Sequence, residues 1–486
     1  MSGSPVVGLP LLRVLRVRGR LSVVLLVAIL NLAFFLVVLS LERQYPEEEL
    51  DARADEIGNS ENRTSSDPVV ATTHSFATTA TPWTTPLPPP PDQHSQTNLP
   101  SESIPLPIHV SLSDIALSSE ERDSLITPFD VEDFRTLGER VRAFFYYHRK
   151  LRTIEDYQTN DRGRFEDVVG QSSWLKNENQ QVAQIPLEAH NIISEFTRFM
   201  SRFEVLLFPW VRPTFPSLSY LYRSFSRAPR TRGMVMTTAQ GLQSRMAMVG
   251  IMSLRSTGCL LPIEFMYAGD DDLPPETRRQ ILSLGDGYDI IMRDITALVD
   301  DTKTQIGEWA IKPFAIMFSS FTEVVFADAD VVWFHPPEEV FDDPVYKQTG
   351  TLFYYDRRTF FGPSDRQFEF VQDILPPHLR DPIPSFLQSH NAIMARQSEH
   401  NQDSAVVAVD KGREHNFYGL LTTCRLNLKE ERDRVIYKVF LGDKETFWLG
   451  WEMSGNNGMY GFNRWPSAQV GYLSRGDQDP VEVVTQ

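Results

Sequence analysis

Cysteine is scarce in this chain. Cys259 and Cys424 are the only two among 486 residues. They permit at most one intrachain bridge, as an oxidising lumen would allow. Two unpaired buried thiols fit equally well, because spacing does not settle pairing. Basic residues are also in deficit, with 47 Lys and Arg against 64 Asp and Glu and a formal net charge of -17. That balance argues against nucleic acid as a partner, since phosphate backbones reward Lys and Arg. No internal repeat is visible. Long apolar runs are missing too, with one exception near the N-terminus.

That exception is Leu21 to Leu41, uncharged throughout. At about 1.5 Å per residue it spans roughly 30 Å, one hydrocarbon core. Arg13, Arg16, Arg18 and Arg20 precede it, and Glu42, Glu47, Glu48 and Glu49 come after it. The positive-inside rule then keeps the short N-terminus in the cytoplasm and sends the rest across the membrane. A cleaved signal peptide is the competing reading. The run is longer than the usual apolar region of such peptides, and it lacks a clear small-x-small cleavage site at its end. The expectation is a single-pass type II membrane protein, with a cytoplasmic tail over 1–20 and a signal anchor over 21–41.

Past the anchor the composition changes. Residues 42–110 are rich in Pro, Ser, Thr and acids, most extremely at Thr84 to Pro91. Such a stretch cannot bury enough apolar surface to order itself. It reads as an extended, Ser/Thr/Pro-rich stem suited to O-glycosylation. It also carries the chain's one N-glycosylation sequon, Asn62-Arg63-Thr64. Residues 111–230 read as mostly helical, with Phe134, Phe144, Tyr146 and Tyr147 among charged residues. They form either an N-terminal subdomain or a layer packed on the C-terminal half of the chain, and no chemistry is assignable there.

From residue 231 to about 475 strands and helices alternate. Strands are expected over 233–238, 261–267, 288–292 and 323–326, with helices over 242–254, 275–284 and 307–321 between them. Pro275 suits the first turn of its helix. This alternation implies an α/β fold with a parallel or mixed Rossmann-type sheet. Ligands in such sheets sit beyond the carboxyl ends of the strands. Residues 476–486 read as a flexible tail.

At one such end lies Asp328-Ala329-Asp330, after Val324-Val325-Phe326 and before the apolar Val331 to Phe334. In extended chain the two acids point the same way. Two converging carboxylates in a buried segment need a neutralising partner. A divalent cation carrying a diphosphate supplies one, because hard oxygen ligands suit Mg²⁺ or Mn²⁺. An Asp-X-Asp triplet alone is weak, and a solvated turn would also account for it. Thr237 and Thr238 end the first strand of the region. Lys312, on the helix before the triplet, is either solvated or within reach of a phosphate. Asp443 and Glu445 precede Phe447, Trp448 and Trp451, a mixture that suits a sugar site and equally suits an exposed turn beside core aromatics. His415 is a further candidate ligand, or simply an exposed loop histidine. A glycosidase acid/base pair fits less well, since such carboxylates flank the scissile bond.

Several segments together carry a resemblance. They are Gly233 to Thr238, Cys259 to Glu264, Lys312 to Ala315 leading into Ser319 to Phe321, and Val325 to Asp330. Phe341 to Asp356, Val407 to Lys411 and Gly442 to Gly450 complete the set. In this order the chain resembles the fungal Golgi α-1,3-mannosyltransferases over roughly residues 232–452. The resemblance implies a GT-A-type fold, GDP-mannose as donor, Mn²⁺ as cofactor, and a mannose-terminated glycan or glycoprotein as acceptor, with the α configuration retained. It makes Asp328 and Asp330 the metal-motif aspartates. Asp328 would also serve the nucleotide sugar alongside Thr237, Thr238 and Lys312, with Asp443 and Glu445 at the sugar or acceptor hydroxyl. Two positions depart from the family pattern: Ala405 comes after Ser404 where Gly is expected, and Ala327 leads the metal motif in place of a bulky residue. The alternative is a non-catalytic glycan-binding or scaffold subunit of a Golgi complex that keeps the same architecture.

Overall fold

The computed structural model describes residues 110–160, 187–211, 214–285, 289–357, 364–467, 470–473 and 482–485. All fall within the unit Pro89–Gln486. The expected anchor, the stem up to residue 109 and the sequon lie outside the described residues. Among the described residues no helix is long and apolar enough to cross a membrane.

The centre is a six-stranded sheet in the order β3-β2-β1-β4-β6-β5. Its strands are β1 (Arg232–Thr237), β2 (Ile263–Tyr267), β3 (Ile290–Asp294), β4 (Glu323–Ala327), β5 (Thr351–Tyr355) and β6 (Gln402–Asp410). The first four run parallel, with Met236 opposite both Ala327 and Phe265. β6 lies antiparallel to β4, pairing Ala327 with Val406, and β5 is antiparallel to β6. β2 and β4 are buried along their whole length, as strands covered on both faces should be.

Alternation along the strands divides two apolar cores. Val324 and Phe326 of β4 join Val235, Val407 and Val409 on one face. Val325 and Ala327 join Met234, Met236 and Ala408 on the other. Cys424 belongs to the first core and Cys259 to the second. Both are free, buried thiols.

The principal helices are α1 (Ser119–Ile126), α2 (Phe134–Asn160), α3 (Leu187–Leu207), α4 (Leu218–Ser226) and α5 (Leu242–Ser256). They continue with α6 (Pro275–Leu282), α7 (Ile311–Phe318), α8 (Asp365–Ile374), α9 (Glu414–Leu426) and α10 (Thr446–Met453). α5 and the segment around Cys259 cover the second core; α7, α9 and α10 fill the first. The N-terminal helices pack into that first core as well. Phe145 of α2 stacks on Tyr418 of α9 at 4.1 Å between ring centroids, and Phe144 meets Phe203 edge-on at 5.4 Å. Buried His148 ties three elements together, its Nδ1 3.0 Å from the Tyr418 hydroxyl and its Nε2 3.1 Å from Ser219 Oγ. The described residues between 110 and 226 therefore share the core of the sheet and do not form a separate subdomain.

The chain leaves β4 at Ala327, and in the apolar run after the Asp-Ala-Asp triplet Val332 and Phe334 are exposed. Near the C-terminus β8 (Glu482–Thr485) pairs antiparallel with β7 (Val470–Leu473).

Candidate active site

β4 delivers its acids to the carboxyl edge of the sheet, and the chain turns there at once. The Asp328 N–H donates to the Ala405 carbonyl at 2.8 Å, and the Val331 N–H closes on the Asp328 carbonyl at 3.2 Å. The two carboxylates are therefore not successive positions of an extended strand. Asp330 is exposed. Asp328 sits in a recess with 24% of its side chain accessible.

The recess holds its own cation. α7 is apolar along its length apart from Lys312, and it is packed into the core. From its first turn Lys312 Nζ reaches Asp328 Oδ2 at 2.8 Å, Ser404 Oγ at 3.2 Å and Asp443 Oδ1 at 3.8 Å. The partner that buried charge requires is thus a lysine from the chain itself. Burial pulls the Lys312 ammonium down, but Asp443 and Asp328 outweigh it and hold the group above the ordinary lysine range. Burial pushes Asp328 up to about 7, although Lys312 pulls the other way. Burial likewise raises Asp443 against Lys312.

Asp443 is buried, and its Oδ2 finds no hydrogen-bond partner among the described residues. An orphaned buried carboxylate oxygen is an acceptor waiting for a hydroxyl or a proton. Glu445, two residues on, is placed differently. It is fully buried, its Oε1 accepting the Asn401 N–H at 2.8 Å and its Oε2 the Trp448 indole N–H at 2.6 Å. Burial still pushes it up to about 7, against those donors. Glu445 fastens the start of β6 to α10 and does not share the recess of Asp443. Neither acid lies on an exposed turn.

Thr237 is half-buried at the end of β1, one step past the Met236–Ala327 pair and so alongside Asp328. Thr238 is buried, and its hydroxyl donates to the Ala239 carbonyl at 3.3 Å. His415 stands elsewhere. Its Nε2 lies 2.8 Å from the Thr349 carbonyl, near the far end of β6, so it is no ligand for the Asp328 edge.

Sequence reasoning missed the β6 contribution. Because β6 is antiparallel, its beginning, and not its end, arrives at this edge, bringing Asp403 and Ser404. Gln402 comes with them, fully buried and with both side-chain amide atoms unpartnered among the described residues. Lys444 pairs with Asp356 of the β5 end at 2.6 Å. A signal for Lys312 did exist: a lone lysine in an otherwise apolar helix must find an acid.

Among the described residues no group of three or more His, Cys, Asp or Glu side chains is placed to hold a metal. A diphosphate-bridging Mg²⁺ or Mn²⁺ needs only one or two carboxylates and completes its shell with phosphate and water. Asp330 is exposed and makes no ion pair among the described residues, and Asp328 is adjacent in the turn. The residues present therefore suit such an ion.

A family model described as "Mannosyltransferase putative" matches residues 231–484. The "Putative alpha-1,3-mannosyltransferase MNN14" of Candida albicans is 30% identical over 228 residues, 44% of this chain and 32% of that protein. The "Alpha-1,3-mannosyltransferase MNT3" of Saccharomyces cerevisiae is 26% identical over 259 residues, 49% of this chain and 40% of that protein. The chain thus spans well under half the length of these two relatives. Among solved structures, the glycosyltransferase GlyE of Streptococcus pneumoniae covers 49% of this chain, with 46% of its own, at 14% identity and a TM-score of 0.31. That score is too low to carry an argument.

Proposed function

The chain belongs to this mannosyltransferase family, and from that premise we propose that it is a GT-A-type glycosyltransferase. It moves mannose from GDP-mannose to mannose-terminated glycans of glycoproteins, in α-1,3 linkage and with retention of configuration. We assign it to the Golgi membrane as a single-pass type II protein with its catalytic part in the lumen. The names of the relatives support the sugar and the linkage. The single observation that carries the reading is the meeting of Asp328, Lys312, Ser404 and Asp443 at the carboxyl edge of the sheet, beside exposed Asp330.

Asp330 and Asp328 would hold Mn²⁺, which when bound supplies positive charge to the departing diphosphate. Lys312 adds a second positive charge at the same edge. Its position is fixed by two acceptors, Asp328 and Ser404, and by the nearby Asp443 carboxylate before any substrate arrives, so little reorganisation is needed as charge develops. Thr237 and Thr238 border the nucleotide side, beyond the end of β1. Asp443, with Oδ2 unpaired, accepts a hydroxyl of the sugar. Glu445 positions this machinery by holding β6 against α10 and does not touch substrate.

The test is mannose transfer from GDP-mannose to a simple α-mannoside by the full-length protein with Mn²⁺. Asp330→Ala should lower the rate by about 100-fold or more, the scale of losing one electrostatic stabiliser. Full activity in that variant would overturn the metal role. Calorimetry with GDP and Mn²⁺ separates the rival reading: no heat from folded protein would favour a non-catalytic glycan-binding subunit.

A further inference from the structure

Beside the carboxyl edge of the sheet, a cleft of ≈ 380 Å³ opens between the segment before α7 and the turns around residue 432. That volume lies within the range of about 300–1,000 Å³ typical of small-ligand sites. Its walls include Gln305, Glu308, Lys429, Arg432, Asp433 and Tyr437, with Asp433 paired to Lys429. Trp309 comes directly after Glu308 and is 48% exposed, unusual for the largest apolar side chain. Its ring lies 6.3 Å from that of Tyr437 and packs on Gly442, where a Cβ would come within 2.8 Å of Trp309 Cε3. Gly442 immediately precedes Asp443. The indole therefore bridges the cleft and the recess that holds Asp443 and Lys312.

The segment carrying Trp309 is held in an unfavourable shape. Gln305 and Glu308 have φ of 40° and 50°, a left-handed conformation that residues with a Cβ seldom adopt. Such strain persists where the surroundings over-determine it, and it gathers at functional sites. Here Arg432 is the restraint, donating from Nη1 to the Thr304 carbonyl at 2.7 Å and from Nη2 to the Gln305 carbonyl at 2.6 Å. The Glu308 carboxylate is exposed and has no hydrogen bond or ion pair among the described residues.

We propose that this cleft is the subsite for the accepting sugar, with the Trp309 indole stacked on a mannose ring and Glu308 and Asp433 accepting its hydroxyls. This assignment rests on the proposed mannosyl transfer. A pyranose offers both an apolar CH face and a rim of hydroxyls, and the half-exposed indole flanked by carboxylates matches both. Lys429 and Arg432 also line the cleft and both pair with Asp433, which leaves Glu308 as the carboxylate best placed to take a hydroxyl.

The experiment uses full-length wild type, Trp309→Ala and Trp309→Phe. Saturation-transfer NMR with α-linked mannobiose reports contact, and steady-state kinetics report transfer. Wild type and Trp309→Phe should show mannobiose contact, and Trp309→Ala should lose it. The acceptor KM of Trp309→Ala should rise about tenfold, about 1.4 kcal/mol, with the donor KM within about twofold. Unchanged contact, or acceptor and donor KM rising together, would overturn the proposal. Contact seen without any transfer keeps the subsite and refutes the transfer reading. Transfer with an unaltered acceptor KM does the reverse. Should Trp309→Ala fail to fold, Glu308→Ala repeats the test at a solvent-facing side chain, with a smaller rise in acceptor KM expected and none overturning the proposal.

Discussion

Removing the Lys312 ammonium strands two acids at once. Asp443 is nearly inaccessible and Asp328 largely so, and each meets the lysine within 4 Å. Losing one member of a buried ion pair costs about 3–5 kcal/mol. Lys312→Met should therefore lower stability by roughly that amount in urea denaturation, and Asp443→Asn added to it should recover part of the loss. A second residue-scale effect is pH-dependent. Glu445 titrates near 4.5 when unfolded and is pushed up to about 7 in the fold. Between those values the folded protein keeps the proton that the unfolded chain has lost. Stability from this group is thus greatest below about 4.5, declines as pH rises to about 7 and is level above. The melting temperature of wild type relative to Glu445→Gln should fall across that window; a constant difference would refute the assignment.

Among the elements, the crossing of α9 and α10 matters most to the site, because α10 starts three residues after Asp443. The two helices approach closely. A Cβ at Gly450 would come 2.6 Å from the Gly419 carbonyl oxygen, and one at Gly419 would lie 2.2 Å from the Trp451 ring. Overpacking of this kind costs about 1–3 kcal/mol. Gly450→Ala should lower the melting temperature and reduce transfer, since α10 cannot shift without carrying Asp443. Much of this layer was legible beforehand. The apolar runs of β1, β2 and β4 and the helices between them announced a Rossmann-like sheet. Two things were not. Local propensity does not encode strand direction, so the reversal of β6, and with it the arrival of Ser404, could not be read. The helix expected over 307–321 is a 3-10 turn at Glu308–Ala310 succeeded by α7. The left-handed residues at its start are held by Arg432, more than a hundred positions away in sequence.

For the molecule as a whole, the sheet is a partition. Cys259 and Cys424 lie in cores on its opposite faces, so no bridge joins them. Burial raises both thiols, Cys259 to about 12, which leaves them unreactive while folded. Denaturing alkylation without reductant, read by intact mass, should add two labels per chain; an unlabelled chain would contradict the fold. The same long-range packing explains why the described residues between 110 and 226 carry so little legible signal. Aromatic residues such as Phe144 and Phe145 complete a core whose other half is near residue 418, and no periodicity names a distant partner.

One strand running against its neighbours has a further consequence. The groups that would grip a nucleotide come from residues 237–330, whereas those that would meet the accepted sugar come from both sides of that strand, Glu308 and Trp309 before it and Asp433 after it. Exchanging residues 402–445 alone between relatives would therefore carry over only part of the recipient's site. Retargeting the recipient calls for residues 305–309 to travel with them.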